Sequence, residues 1–316
     1  MTKKRLCIFM LAVLLGFSGF GCSNQQASEI DSESMQTLTI GVLPDVDSIP
    51  FIIAAHNGYF EEEGLNVKLE HFNSAVDRDA AFQTGNVDGV VSDILAAIFL
   101  KDSGLDVKIT SKTDGLYHLI AAPNSDVSQL AEIKGGTIGI SQNTIIEYLT
   151  DKMLENVSEH STEKVFIPKI PTRLEMLRNN KINMATLPEP LASVAVHEGG
   201  KPLTNSEQLG LNPGIMLFTQ DAIEKKGKEI KACYRAYNRA VEYLKKEPLE
   251  NYIDVLIEEA GFPETIKDTL TLPDYQKASM PDEQDFKGVL DWMRSKELTD
   301  SDYSLEELAD DSFIEK

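Results

Sequence analysis

Strand-like and helix-like segments alternate along the chain from Leu38 onward, and this alternation limits the folds that the sequence can adopt. Short apolar runs such as LTIGVL and VDGVVS are typical of buried strands, and a segment with apolar residues at helical spacing follows each of them. Gly64 and Gly104 stand where two of these helical segments end. The alternation predicts an α/β fold in which helices cover mostly parallel sheets.

The same order of elements starts again further along the chain. The segment TIGI at residues 137–140 repeats TIGV at residues 39–42, and both are followed by a polar loop and a helical pattern. The segment GIMLFTQ, which begins at Gly214, has the pattern of a strand that returns the chain to the first sheet. Together these patterns predict two α/β lobes, with long amphipathic helices towards the end of the chain.

The first residues have the pattern of a segment that directs export. Lys3, Lys4 and Arg5 precede an apolar stretch that ends in GFSGFGC and is shorter than the roughly 20 residues of a membrane-spanning helix. We therefore expect residues 1–21 to be a signal peptide. The end of this segment resembles the processing site of bacterial lipoproteins, which makes Cys22 the expected lipidation site. An ordinary cleaved signal peptide is the alternative.

Composition and charge agree with an exported protein that is held at the cell membrane outside the cytoplasm. Residues 22–37 are polar and lack periodicity, which is typical of a flexible tether. The formal net charge of −21 disfavours nucleic acid as a partner, and it disfavours membrane contacts other than the lipid anchor. Cys233 is the cysteine that remains beyond Cys22, and the helical spacing around it predicts a buried thiol.

Four motifs that are spread over most of the chain resemble a known family. They are AAHNGYFEEEGLNVKL at residues 54–69, AAFQTGNVDGVVS at 80–92, EIKGGTIGIS at 132–141 and LPEPLASVA at 187–195. Their order and spacing resemble the substrate-binding proteins of bacterial ABC importers, in the group that includes sulfonate, nitrate and thiamine-pyrimidine binders. The resemblance implies the type II periplasmic-binding-protein fold (a Venus flytrap), in which two hinge crossings join two lobes around a ligand cleft.

The resemblance also implies an arrangement of domains and a set of partners. Lobe I is expected at residues 38–121 and lobe II at 122–205, and residues 206–316 are expected to return to lobe I and add C-terminal helices. The implied partners are a small-molecule ligand, an ABC permease and its ATPase. We expect the protein to act as a monomer, without a cofactor and without a metal.

Open parallel sheets bind ligands beyond the carboxyl ends of their strands, so the loops that leave the predicted strands are the expected binding site. The candidate residues in these loops share a side chain that can form hydrogen bonds. They are Asp45, Asp47, Ser48, Ser92, Asp93, Asp114, Tyr117, Ser141, Gln142, Asn143 and Glu189. Structural roles remain open as alternatives: Asp47 or Ser48 can cap the following helix, Asp114 can belong to an ordinary turn, and Glu189 can be a helix cap.

The charges in these loops indicate what the ligand carries. The loops contain several carboxylates and almost no arginine, and the sequence does not place Arg78 or Arg173 in the cleft. Carboxylates favour a ligand with an amine, an amidine or a protonated heterocyclic nitrogen, such as a vitamin precursor. A sulfonate- or nitrate-type anion is the alternative, because the start of the helix after Ser141 offers N–H groups to an anion.

An enzyme on the same fold is the rival function. The fold-related thiamine-pyrimidine synthases carry a histidine and a cysteine-rich iron-site motif, whereas the 5 histidines of this chain are scattered and have no cysteine near them in sequence. The sequence contains no G-x-S-x-G, H-E-x-x-H, C-x-x-C or P-loop pattern. We therefore expect a binding protein without catalytic residues.

Overall fold

The computed structural model describes residues 36–157 and 162–315 of the chain. The predicted signal peptide, the expected lipidation site Cys22 and most of the predicted tether lie outside the described residues. Two mixed sheets with helices around them form the fold, as the alternating pattern predicted. Within the described ranges, no helix combines the length and the apolar character that crossing a membrane requires.

The first sheet has the strand order β2-β1-β3-β10-β4. Its strands are β1 (Leu38–Val42), β2 (Val67–His71), β3 (Gly89–Asp93), β4 (Val107–Lys112) and β10 (Gly214–Thr219). β1 runs parallel to β2 and β3, whereas β10 runs antiparallel to β3 and β4. The prediction that the GIMLFTQ segment returns to the first sheet is therefore confirmed. β3 is buried along its whole length, as expected for a strand with helices on both sides.

The second sheet has the strand order β7-β6-β8-β5-β9. Its strands are β5 (Tyr117–Ala121), β6 (Gly136–Ile140), β7 (Thr162–Phe166), β8 (Met184–Pro188) and β9 (Lys201–Asn205). β6 runs parallel to β7 and β8, whereas β5 runs antiparallel to β8 and β9. Because β5 pairs within this sheet, the second sheet takes in residues that lie before the predicted lobe boundary at residue 121.

Helices pack against both sheets and along the outside of the fold. They are α1 (Ile49–His56), α2 (Tyr59–Glu62), α3 (Ala75–Gln83), α4 (Ile94–Asp102), α5 (Ile145–Leu154), α6 (Ile170–Arg178), α7 (Leu191–His197), α8 (Gln220–Lys246), α9 (Ile253–Glu258), α10 (Glu283–Ser295) and α11 (Leu305–Leu308). α8 packs against α1 and α2, and α10 packs against α4. Cys233 is buried on α8, which confirms the prediction of a buried thiol.

The segment GYFEEEGL has a structural role, as its sequence predicted. Gly64 follows α2 in the left-handed conformation, with a φ of 73°, which a side chain with a Cβ rarely adopts. The N–H of Leu65 donates to the carbonyl oxygen of Phe60 at 2.9 Å, and both side chains are buried. The glycine therefore turns the chain back so that Leu65 covers the last turn of the helix.

The chain passes between the two sheets twice. Residues 113–116 join β4 to β5, and residues 206–213 join β9 to β10. The side-chain amide of Asn212 donates to the carbonyl oxygen of Thr113 at 2.8 Å, and the Thr113 N–H donates to the carbonyl oxygen of Gly214 at 3.0 Å. The two crossings therefore lie side by side and form one joint between the sheets.

Gly89 provides a test of the packing of the first sheet. A Cβ on this residue of β3 would lie 2.5 Å from the ring of Phe218 and 2.8 Å from the carbonyl oxygen of Leu217. Because the backbone oxygen is fixed by the sheet, we expect Gly89→Ala to lower the free energy of unfolding by about 2 kcal/mol, measured by urea denaturation. Gly227→Ala is the control, since the nearest atom to a Cβ there is 3.6 Å away. Equal unfolding midpoints for the two variants would contradict the described packing.

Candidate functional site

A cleft lies between the two sheets, at the carboxyl ends of β1, β3, β6 and β8. It contains about 450 Å³ that protein atoms do not occupy, a volume that includes space open to solvent. Leu43, Val91 and Ala75 line it from the first lobe, and Ile145 and Pro188 line it from the second. The position of the cleft is the one that the arrangement of parallel strands predicts.

Direct contacts between the lobes close this cleft. The N–H of Val46 donates to the carbonyl oxygen of Glu189, and the N–H of Ile170 donates to that of Asn73, both at 3.1 Å. A third contact lies further away, where the indole N–H of Trp292 on α10 donates to the carboxylate of Asp151 on α5 at 3.1 Å. Since α10 also packs against α4, it bridges elements of both lobes.

Most of the residues that the sequence analysis proposed as ligand-binding come together at this cleft. Those that line it are Asp45, Asp47, Ser92, Asp93, Tyr117 and Ser141. Ser48 is buried beside them, and its hydroxyl donates to Asp45 Oδ1 at 3.0 Å. The Ser48 side chain makes no capping bond to α1. Asp93 both lines the cleft and caps α4, because its Oδ1 accepts from the N–H of Ala96 at 3.0 Å.

The other proposed residues do not lie on the walls of this cleft. Asp114 lines a separate groove, where its carboxylate accepts from the N–H of Gln276 at 2.6 Å. Gln142 and Asn143 are exposed. The buried carboxylate of Glu189 accepts from the N–H and the hydroxyl of Ser193 at 3.1 and 3.0 Å, and its Oε1 lies 3.1 Å from Nε2 of His118. Glu189 thus has the helix-capping role that the sequence left open as its alternative.

Asp47 lies where the two crossings meet. Its Oδ1 accepts from the Thr113 hydroxyl at 2.7 Å, and its Oδ2 accepts from the Tyr117 hydroxyl at 3.1 Å. A Cβ on Gly115 would lie 2.5 Å from Oδ2, and one on Gly214 would lie 2.8 Å from Oδ1. Glycine at these two positions therefore allows the backbone of both crossings to approach the carboxylate. Because its oxygens are used in this way, Asp47 is not a helix cap.

Burial shifts the pKa of the cleft carboxyls upward. It raises the pKa of Asp47 to about 7, with a further contribution from the charge of Asp45, and it raises the pKa of Asp45 to about 6. Burial also raises the pKa of Asp93 to about 6, although the Arg78 guanidinium opposes this shift. Burial raises the pKa of Tyr117 well above its ordinary value, so its hydroxyl remains a donor. With these pKa values, Asp45 and Asp47 together hold roughly one proton at about pH 6.5 and less at higher pH.

Arg78 and Arg173, which the sequence could not place, both line the cleft from helices and not from the predicted loops. Arg78 on α3 is buried, and its guanidinium lies 2.8 Å from Asp79 and 3.8 Å from Asp93. Burial opposes its charge, but these carboxylates more than offset burial and raise the pKa of Arg78. Arg78 therefore has its counter-charges within its own lobe.

Arg173 on α6 differs from Arg78 in its electrostatic surroundings, because it is buried and has no counter-charge among the described residues. Its Nε donates to the carbonyl oxygen of Thr186 and its Nη1 to that of Ile167, both at 2.9 Å. Its Nη2 is buried and finds no hydrogen-bond acceptor in the described part of the chain. Burial lowers the pKa of Arg173 to about 9, so the side chain is still charged at neutral pH. The hydroxyls of Ser92 and Ser141 likewise have no partner among the described residues.

Comparisons with known proteins agree with this geometry. The sequence model of the family described as NMT1/THI5 like matches residues 45–251, a range that includes all the cleft residues named above except Leu43. The chain belongs to the NMT1/THI5-like family. Over 261 residues, this NMT1/THI5-like protein is 22% identical to a protein of Brachyspira hyodysenteriae that is provisionally named an ABC transporter periplasmic binding protein. That match covers 77% of this chain and 72% of the relative.

Solved structures of binding proteins share the fold of this NMT1/THI5-like protein. The periplasmic nitrate-binding protein NrtA from Synechocystis PCC 6803 superposes with a TM-score of 0.74 at 11% identity, over 88% of this chain and 87% of that one. The alkanesulfonate-binding protein SsuA from Xanthomonas axonopodis pv. citri, bound to MOPS, superposes with a TM-score of 0.71 at 16% identity, over 86% and 97%. The expectation of a periplasmic-binding-protein fold is therefore confirmed.

The raised pKa of Asp47 predicts how the stability of the ligand-free protein depends on pH. Folding moves this pKa from about 4 to about 7, so the stability that it contributes is lost as the pH rises through that interval. We expect Asp47→Asn to raise the melting temperature by a few degrees at about pH 8 and to leave it almost unchanged at about pH 4.

Asp106→Asn is the matched control for this prediction. Asp106 is exposed, and a hydrogen bond from Lys101 lowers its pKa instead of raising it, so its removal brings no gain at high pH. Thermal unfolding followed by circular dichroism over this pH range measures both variants. A lower melting temperature of Asp47→Asn at about pH 8 would show that burial of this carboxylate is not unfavourable.

Proposed function

We propose that this protein is the extracytoplasmic solute-binding component of an ABC importer. It captures a small polar ligand between its lobes, closes by rotation about the two crossings and delivers the ligand to a permease and its ATPase. The observation that carries this proposal is the closed cleft, in which buried polar side chains converge from both lobes. The name of the Brachyspira hyodysenteriae relative supports the same function.

The ligand carries a cationic nitrogen, as an amine, an amidine or a protonated heterocycle, and Asp45 and Asp47 recognise it. Hydrogen bonds to both carboxylates come from the neutral hydroxyls of Ser48, Thr113 and Tyr117. These hydroxyls orient the carboxylates without bringing a positive charge, so apart from the influence of Arg78 on Asp45 the ionised carboxylate of the pair keeps its negative charge for the ligand. A cation that leaves water for the cleft needs such a charge to replace its hydration.

The protein acts outside the cytoplasm as a monomer, and a lipid on Cys22 holds it at the cell membrane. The charged start, the apolar stretch and the cysteine of the N-terminal segment support this location. The polar residues that follow Cys22 give the binding domain the reach that contact with a permease requires. Binding, hinge closure and release to the permease complete the cycle, and the ligand leaves chemically unchanged.

A binder of sulfonate- or nitrate-type anions is the second candidate function. Arg173 favours it, since the guanidinium is buried in the cleft without a counter-charge among the described residues. The likeness in fold to NrtA and SsuA is compatible with it. The two candidates differ in the sign of the ligand charge and can therefore be separated by binding measurements.

A ligand panel tests the sign of this charge. We expect amines, amidines or aminopyrimidines to raise the melting temperature, because a ligand that binds the folded state stabilises it by mass action. Calorimetry should then show that Asp45→Asn and Asp47→Asn each weaken the binding of these cations by at least about tenfold. Wild-type affinity should also fall as the pH decreases from about 7 to about 5, since protons compete with the cation for the two carboxylates.

Asp106→Asn is the control for these variants as well, because Asp106 is exposed and lies outside both the cleft and the two crossings. It should bind cations with wild-type affinity. Binding of nitrate or ethanesulfonate without binding of any cation in the panel would favour the second candidate. Conversion of a bound compound, detected by mass spectrometry, would favour an enzyme.

A further inference from the structure

The second lobe carries a charge that recognition of a simple cation does not use. We propose that the ligand is a zwitterion, whose cationic nitrogen is bound by Asp45 and Asp47 and whose anionic group is bound by Arg173. The anionic group is a carboxylate, a sulfonate or a phosphate. This inference rests on the proposed function, because it places the cationic end of the ligand at the same two carboxylates.

The surroundings of Arg173 hold its guanidinium ready for an anion. Two of its nitrogens donate to the carbonyl oxygens of Ile167, which follows β7, and Thr186, which lies in β8. These bonds fix the plane of the group and leave Nη2 free in a residue that lines the cleft. A guanidinium binds oxyanions through directed N–H groups, so a fixed guanidinium with a free N–H is a specific anion site.

Arg78 provides an internal comparison for this interpretation. Both arginines are buried and both line the cleft. Arg78 lies next to Asp79 and Asp93, whereas no acidic side chain in the described ranges forms an ion pair with Arg173. Because a buried charge without a counter-charge is strongly unfavourable, the missing negative group is best supplied by the ligand.

The start of α5 does not provide the anion site that its sequence suggested. The N–H of Asn143 donates to the side chain of Glu147 at 2.8 Å, and the N–H of Ile146 donates to the hydroxyl of Thr144 at 3.3 Å. These side chains occupy N–H groups that an anion would otherwise use. Recognition of the anion therefore falls to Arg173 and to the hydroxyl of Ser141, which has no partner among the described residues.

The two recognition sites lie on opposite sides of the cleft, and this arrangement couples ligand charge to closure. Asp45 and Asp47 follow β1 of the first sheet, and Arg173 lies on α6 of the second lobe. A cation alone pairs only with the carboxylates of the first lobe, so it stabilises the closed state little relative to the open state. A zwitterion satisfies both lobes only when they are closed, so its binding favours closure.

Ligands that differ by one charged group test this inference on the wild-type protein. The zwitterions are β-alanine, taurine and O-phosphoethanolamine, which present the three candidate anions on the same aminoethyl group. Ethylamine lacks the anion, and ethanesulfonate lacks the amine. We expect calorimetry to show that at least one zwitterion binds on the order of 10- to 100-fold more tightly than ethylamine and ethanesulfonate.

A pair of variants on one helix then assigns the effect to Arg173. Arg173→Gln should reduce the affinity for the preferred zwitterion to that for ethylamine and leave the ethylamine affinity unchanged. Arg178→Gln is the control, because Arg178 is exposed on the same helix and pairs with Glu175 and Glu198. Arg173→Lys, which keeps the charge but loses the planar donor geometry, serves as the second variant if Arg173→Gln does not fold.

The outcomes separate this inference from the proposed function. If wild-type protein binds ethylamine as tightly as every zwitterion, and Asp47→Asn abolishes that binding, the inference is overturned and the proposed function stands. If ethanesulfonate binds as tightly as taurine, the cationic nitrogen is unimportant and both are overturned. If Arg173→Gln keeps the preference for the zwitterion, the assignment of the anion to Arg173 is overturned.

Discussion

The hydrogen bonds from Thr113 and Tyr117 to Asp47 join the hinge of the protein to its ligand cleft. Thr113 belongs to one crossing, and Gly214, at the end of the other, approaches the same carboxylate so closely that a Cβ would not fit. The carboxylate is buried, and burial raises its pKa to about 7. The charge of the site and the geometry of the joint therefore depend on each other, so a cation bound in the cleft acts directly on the hinge.

The cleft carries unfavourable charges that the rest of the fold must offset. Asp45 and Asp47 are buried close enough for their charges to interact, and Arg173 is buried on the other lobe without a counter-charge among the described residues. Two apolar clusters supply the compensating burial, and each contains strands of both sheets, such as Ile40 with Ala185 and Val90 with Leu119. Stability given up at a binding site in this way is commonly recovered when the ligand binds.

The sequence predicted those cleft residues whose place follows from the order of the strands. It did not predict the cleft residues whose place depends on how the two lobes assemble. Asp45, Asp93 and Ser141 follow or end strands, so each of the two sheets brings its own residues among them to the carboxyl edge that faces the cleft. Arg78 and Arg173 lie within helices, and helical spacing does not show which residues face a second lobe. Glu189 also follows a strand, but the Ser193 groups turn its carboxylate to the start of α7.

Proton release on binding shows whether a cationic group binds at the carboxylates of Asp45 and Asp47. At about pH 6.5 this pair still holds roughly one proton, which a cation must displace. Titration calorimetry of the preferred ligand in buffers with different ionisation enthalpies counts the released protons. We expect wild-type protein to release close to one proton per ligand and Asp47→Asn to release far less. Tight binding without proton release, or equal release from the variant, would contradict binding of a cation at these carboxylates.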